Sequence, residues 1–129
     1  MAKKVIQNGT KLPKEADTVK FEMLEKLINS SYTEMKEFSK KKPDELLNKF
    51  KVTSLNRILD PIKQLLANEP TASFLDLLDE DTIPSYSDSI LIIAQFQSAM
   101  AQFKSSYHGY DGSTYRWFTE ENPGRQSNW

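Results

Sequence analysis

The stretch LIIAQFQSAMAQFKSSYHGYDG, Leu91 to Gly112, decides how the rest of the chain is read. Ser89, Ile93, Phe96, Met100, Phe103 and Tyr107 recur at spacings of three and four residues, which puts them on one stripe of an α-helix. Ala94, Ala99 and Ala101 keep the flanks of that stripe thin enough for close packing. Ser87 and Asp88, after Pro84, open this helix, and Gly109 is a natural stop for it. The stretch then runs out in Tyr107, His108, Tyr110 and Asp111. That cluster is either a catalytic corner or the place where a packed helix ends and a contact begins.

Upstream, Phe21, Leu24, Ile28, Met35 and Phe38 mark a second long amphipathic helix, with Ser31 in the remaining place of its stripe. Asp17 or Thr18 suits its N-cap, and the lysines before Pro43 suit its end. Pro43, Asp44 and Glu45 suit the first turn of a short helix carrying Leu46, Leu47 and Phe50. Thr53 or Ser54 suits the cap of another, with Leu55, Ile58, Leu59, Ile62, Leu65 and Leu66; Pro61 kinks it or restarts it from Asp60. Thr71 suits the cap of a further short helix, ASFLDLLDED. Only STYRWF has the composition of a strand, and a lone short strand is not stable. The expected fold is therefore all-α: a compact bundle of four to six helices, two of them long and amphipathic, with an irregular aromatic C-terminal tail. The expected divisions are a basic arm over 1–15, the bundle over 16–109 and the tail over 110–129.

The 129 residues suit one domain, and no cysteine is present to make a disulfide or thiolate site. No apolar run approaches the roughly 20 residues of a membrane span, and none follows the MAKK start. These features lead to the expectation of a soluble, cytoplasmic chain without a membrane partner. The net charge is −1, but it is unevenly placed. Residues 1–63 carry 14 Lys+Arg against 9 Asp+Glu, and residues 64–129 carry 3 against 9. The basic half suits a polyanion and the acidic half a basic neighbour, unless the lysines only solvate the first helix.

His108 with Asp111 has the residue types of a general base and its orienting carboxylate. No serine elbow, cysteine or second histidine gives it a group to act on, so the expectation is a non-enzyme. Asp76, Asp79, Glu80 and Asp81 form an acidic corner without the alternating ligands and central glycine of a calcium loop. The four glycines, at 9, 109, 112 and 124, form no phosphate-cradling loop. No cofactor or metal is expected. The tail carries Tyr110, Tyr115, Trp117, Phe118 and Trp129 beside Arg116, residue types that anchor interfaces and stack on bases. These rings either reach a partner or fold back as a lid over the bundle; the contact arm is the expectation adopted.

VTSLNRIL, residues 52–59, and the run Phe96, Ala99, Met100, Phe103, Tyr107 and Gly109 resemble stretches of the small subunit of CRISPR effector complexes, the helical family found in type III-A and type I-D ribonucleoproteins. VTSLNRIL, residues 52–59, is similar to that family's Thr-Ser-x-x-Arg-x-Leu helix start. Phe96, Ala99, Met100, Phe103, Tyr107 and Gly109 are similar to its aromatic-x-x-Ala-aliphatic-x-x-aromatic pattern, and the tail beyond Gly109 makes the match closer to the type I-D kind. The resemblance implies a non-catalytic subunit of an antiviral ribonucleoprotein. Several copies would stack beside large and backbone subunits, holding guide RNA and target nucleic acid by their backbones. It implies a phosphate contact at Arg57; charge adds Lys51, Lys63 and Lys104, and Tyr107 or Tyr110 would stack on a displaced strand. The competing expectation is a helical protein–protein interaction module, a small regulator or inhibitor that binds no nucleic acid.

Overall fold

The protein is described by a computed structural model covering residues 11–124. Most of the expected basic arm, residues 1–10, and Trp129 lie outside the described residues. Three α-helices, one 3-10 turn and one two-stranded hairpin make up the described fold. They are α1 (Glu15–Lys41), α2 (Lys49–Leu65), the 3-10 turn (Pro70–Phe74), α3 (Tyr86–Tyr107), β1 (His108–Tyr110) and β2 (Tyr115–Trp117). The protein is mostly helical, as the periodicity implies, but the described residues form three α-helices rather than four to six, and the tail begins with a strand of a short hairpin before running on without regular structure to Gly124.

The two long helices form where their stripes place them. α1 buries Thr18, Phe21, Leu24, Ile28 and Met35, while Phe38 stays 44% exposed. Asp17 is not its cap: its Oδ2 accepts the N–H of Lys14 at 3.0 Å, so it closes the first turn from inside the helix. α3 buries Ser89, Ile93, Phe96, Met100, Phe103 and Tyr107, the whole expected seam. Ser85 caps it, its hydroxyl accepting from the Asp88 N–H at 3.2 Å. The helix ends at Tyr107, two residues before Gly109.

The middle of the chain differs most. The short helix over Pro43–Phe50 does not form. Pro43 and Asp44 instead make a turn, and residues 45–47 pair with the start of α3, with Leu47 N–H on Pro84 O, Tyr86 N–H on Glu45 O and Ser87 N–H on Pro43 O. Those bonds satisfy backbone groups that a single helical turn would have left open. α2 instead starts at Lys49, because the Asn48 side chain accepts from the Lys51 N–H at 2.8 Å; Thr53 and Ser54 lie inside it. It runs through Pro61 without restarting. The expected fourth helix is reduced to the 3-10 turn, after which the chain returns alongside α2. Asn56 holds that return from both sides, donating to Leu78 O and accepting from Leu78 N–H, each at 2.9 Å.

α1 and α3 pack antiparallel, with Phe21 beside Phe103, Asn29 beside Gln97 and Phe38 beside Tyr86. α2 runs parallel to α3, its start at Lys51 meeting Tyr86. Phe21, Phe96, Leu59, Ile62 and Ile93 are fully enclosed between the three helices. Each side chain of that size contributes about 1.5–3 kcal/mol by leaving water.

Candidate functional site

The rings of the tail join the core. β2 pairs antiparallel with β1, Trp117 opposite His108 and Tyr115 opposite Tyr110. The strand partner that STYRWF needed is thus supplied by His108–Tyr110, residues whose reading as a helix end concealed it. The Trp117 ring lies 5.1 Å from Phe21 and 6.0 Å from Phe103, and its indole N–H donates to Glu22 at 3.0 Å. Phe118 is fully buried. Arg116 is held within its own loop: Nε donates to Asp111 at 2.8 Å, and Nη1 donates to the carbonyls of Trp117 and Asn122, both at 2.8 Å. Of the five residues expected to bind a partner, Arg116, Trp117 and Phe118 therefore serve the fold, and the lid replaces the arm. Tyr115 is 52% exposed and stacks with half-buried Tyr110 at 5.4 Å.

Asp111 accepts the N–H groups of Ser113 and Thr114 at 2.8 and 2.9 Å as well as Arg116. These donors, the Thr114 N–H foremost, hold its carboxyl down at about 2. The group proposed to orient His108 is thus already committed to its own turn. His108 lies edge-on to Trp117 at 5.2 Å. In the acidic corner, Asp79 accepts from the N–H groups of Asp81 and Thr82, which lower its pKa. Among the described residues no group of three or more His, Cys, Asp or Glu is arranged to hold a metal ion.

The expected phosphate-binding residues are not brought together. At 3.6 residues per turn, Lys51, Arg57 and Lys63 point about 120° apart around α2. Val52, Leu55, Leu59 and Ile62 define its buried face, so Lys51 and Lys63 flank opposite edges and Arg57 points away from it. Lys51 is also used internally: Nζ lies 2.6 Å from the Tyr86 hydroxyl and about 5 Å over the rings of Phe38 and Tyr86. Arg57 is exposed and has no ion pair among the described residues; Asp60, its expected partner, accepts from Gln64 instead. Lys104 pairs with Glu25 at 3.8 Å on the α1–α3 side. Tyr107 is 6% exposed, donates to Glu69 at 3.0 Å, and offers no ring face to a base.

Two kinds of surface appear that the sequence reading did not single out. Lys40, Lys41, Lys42 and Lys49 surround the α1–α2 connection, where Leu46 is 61% and Phe50 78% exposed. From Lys40 to Lys51 there are five lysines against two carboxylates. The signal was present in KKKPDELLNKFK, but assigning Leu46 and Phe50 to a helix stripe sent both to the core. The second kind is apolar: Val19, Met23 and Leu27 lie exposed along α1, and Phe74 and Leu91 lie exposed beside α3. The α1 row falls in the expected first helix, but the sequence reading followed only its core stripe.

The fold and its surfaces define a small, mostly helical protein closed by an aromatic hairpin. Compared with known proteins, the chain matches no family model, no curated sequence and no solved structure. No helix among the described residues is long and apolar enough to cross a membrane.

Proposed function

We propose that this chain is a non-catalytic helical interaction module, acting in the cytoplasm by contact with other protein surfaces. One observation carries this reading: apolar side chains lie exposed in a row on α1, whose buried face already fills the core, and as a pair where the 3-10 turn meets α3. Val19, Met23 and Leu27 are 69%, 54% and 46% exposed, and Phe74 and Leu91 are 69% and 60% exposed. Scattered exposed apolar residues are ordinary, whereas aligned ones mark contact surfaces. The test is reconstitution with the partner that copurifies in stoichiometric amount from the source cells. Replacing Val19, Met23 and Leu27 by Ser, or Phe74 and Leu91 by Ser, should weaken that complex at least tenfold. Unchanged binding by both variants overturns the reading.

The second reading is the small subunit of a CRISPR effector complex, bound to guide RNA, target nucleic acid and the large and backbone subunits. The lysine-ringed end around Leu46 and Phe50 favours it, because cations beside an exposed ring suit a single-stranded backbone and its bases. The contact is thereby moved from Arg57 to Lys41, Lys42, Lys49 and Phe50. Mobility shifts with single-stranded and hybrid oligonucleotides across salt concentrations test it. Charge reversal at Lys41, Lys42 and Lys49 should abolish binding while Arg57→Glu leaves it intact. No shift at low salt, or dependence on Arg57 alone, sinks this reading.

A further inference from the structure

The turn that joins β1 to β2 carries the pair Asp111–Gly112. In such a pair the backbone nitrogen can attack the side chain before it, because glycine has no Cβ to crowd the approach. The attack asks two things of the carboxyl group. It must be free to turn, and one of its oxygens must be protonated so that it can leave as water.

The folded turn withholds both. Oδ1 accepts the N–H groups of Ser113 and Thr114 at 2.8 and 2.9 Å, and Oδ2 accepts from Nε of Arg116 at 2.8 Å. Both oxygens are thus held, and none of these donors releases its proton to them. Arg116 is itself fixed by the carbonyls of Trp117 and Asn122. The Asp111 N–H closes the same turn onto Thr114 O at 3.0 Å. Above about pH 4, a carboxyl held at about 2 rather than 3.8 is protonated roughly 60-fold less often. Gly112 itself is exposed, at φ +103°.

We propose that Asp111–Gly112 is a self-modification site of this chain, closed while the hairpin is folded and open once it comes apart. In the open chain the Gly112 nitrogen bonds to Cγ of Asp111. The Cγ–OH bond breaks, and the amide proton leaves with that hydroxyl as water, giving a cyclic imide. Water then reopens the imide: attack at Cγ restores aspartate, and attack at the main-chain carbonyl carbon leaves the chain linked through Cγ as isoaspartate. The net change is an isomerisation at constant mass, and it needs only water. It lengthens the main chain of the turn by one carbon and moves the carboxylate off the place where Ser113, Thr114 and Arg116 hold it. The turn that sets Tyr110 opposite Tyr115 is thereby lost, and with it the seating of Trp117 and Phe118. Opening of the hairpin therefore exposes the chain to a one-way exit from its fold.

The full chain incubated at about pH 6, in buffer and in guanidinium chloride, tests this. The tryptic peptide 105–116 is followed for a product of unchanged mass and altered retention that an isoaspartyl methyltransferase labels. Isoaspartate should accumulate roughly 60-fold faster or more in the unfolded chain, from the protonation difference alone. In buffer, Arg116→Leu should raise the rate severalfold, whereas Thr114→Ala, which keeps its backbone N–H, should not. Should Arg116→Leu lose the hairpin, its rate should climb to that of the unfolded chain. Gly112→Ala should slow the reaction in guanidinium chloride, because its methyl group crowds the attacking nitrogen. Equal rates in buffer and denaturant overturn the proposal. So do an Arg116→Leu rate no higher than that of wild type or of Thr114→Ala, and an unfolded-chain rate indifferent to Gly112→Ala.

Discussion

The N–H of Phe118 donates to the carbonyl of Tyr107 at 2.7 Å, tying the residue after β2 to the last residue of α3. Through that bond the tail becomes part of the bundle. It satisfies a carbonyl at the helix end, and it sets Trp117 over Phe21 and Phe103 while Phe118 is fully buried. Further along, Glu120 N–H reaches Pro13 O at 2.9 Å and the Glu121 carboxylate accepts from Glu15 N–H at 3.1 Å. The hairpin thereby clamps the start of α1.

Phe118→Ala should cost about 3–5 kcal/mol, the usual cost of removing an enclosed ring. Small domains hold only about 5–15 kcal/mol in all, so this one change should bring the protein near its unfolding threshold. Tyr115→Ala, at a position 52% exposed, should stay within about 0.5 kcal/mol. Urea denaturation followed by far-ultraviolet circular dichroism measures both. Equal effects would mean that the hairpin is an appendage after all.

The Asp111 turn should make the hairpin sensitive to acid. The carboxyl sits at about 2 in the folded chain against an ordinary 3.8, held there by the N–H groups of Thr114 and Ser113 and by Arg116. A depressed folded value means stability that is present above the unfolded pKa and lost as pH falls from about 4 towards 2. Asp111→Asn should be less stable than wild type at neutral pH, and the gap should narrow across that acid window. Denaturation midpoints measured from pH 7 to pH 2 follow it; a constant gap would show that the charge contributes nothing.

The α-helical seams were legible because burial follows period: all six positions from Ser89 to Tyr107 point inward. The middle was not, because Leu46 and Phe50 fit a helix stripe as well as Leu55 and Leu59 do. Backbone pairing of 43–47 with the start of α3 decided between the two, and pairing across the chain leaves no periodic mark. The tail was half legible. Its strand was visible in STYRWF, but the partner strand was hidden in HGY, three residues directly continuous with a helix. The placement of the cations was not legible for a different reason: charge summed over residues 1–63 says nothing of how α2 turns Lys51, Arg57 and Lys63.

Tyr107 should respond at the opposite end of the pH scale. Burial first, and then the neighbouring Glu69, push its hydroxyl up to about 12 from 10. A raised folded value gives stability that is complete below the unfolded pKa and lost as pH rises from about 10 through 12. Tyr107→Phe deletes both the titration and the bond to Glu69, so the variant should be less stable at neutral pH and less sensitive to alkali. Absorbance of ionised tyrosinate should also lose one late-titrating group. An unaltered alkaline profile would mean that Tyr107 reaches solvent.

Pro61 sits inside α2, where its ring removes a backbone N–H and leaves the Arg57 carbonyl without its helical donor. A proline inside a helix is about 3 kcal/mol worse than alanine there. Against this, proline restricts the unfolded chain, an advantage of about 0.4–1 kcal/mol that alanine gives up. Its place near the end of α2, four residues before Leu65, further limits how much helix is strained. The balance favours alanine by about 1–2 kcal/mol, so Pro61→Ala should raise the urea midpoint with little change in slope. Loss of stability instead would mean that the pyrrolidine ring fills space beside Leu77 and Asn56, which share its surface hollow, and that packing outweighs the missing hydrogen bond.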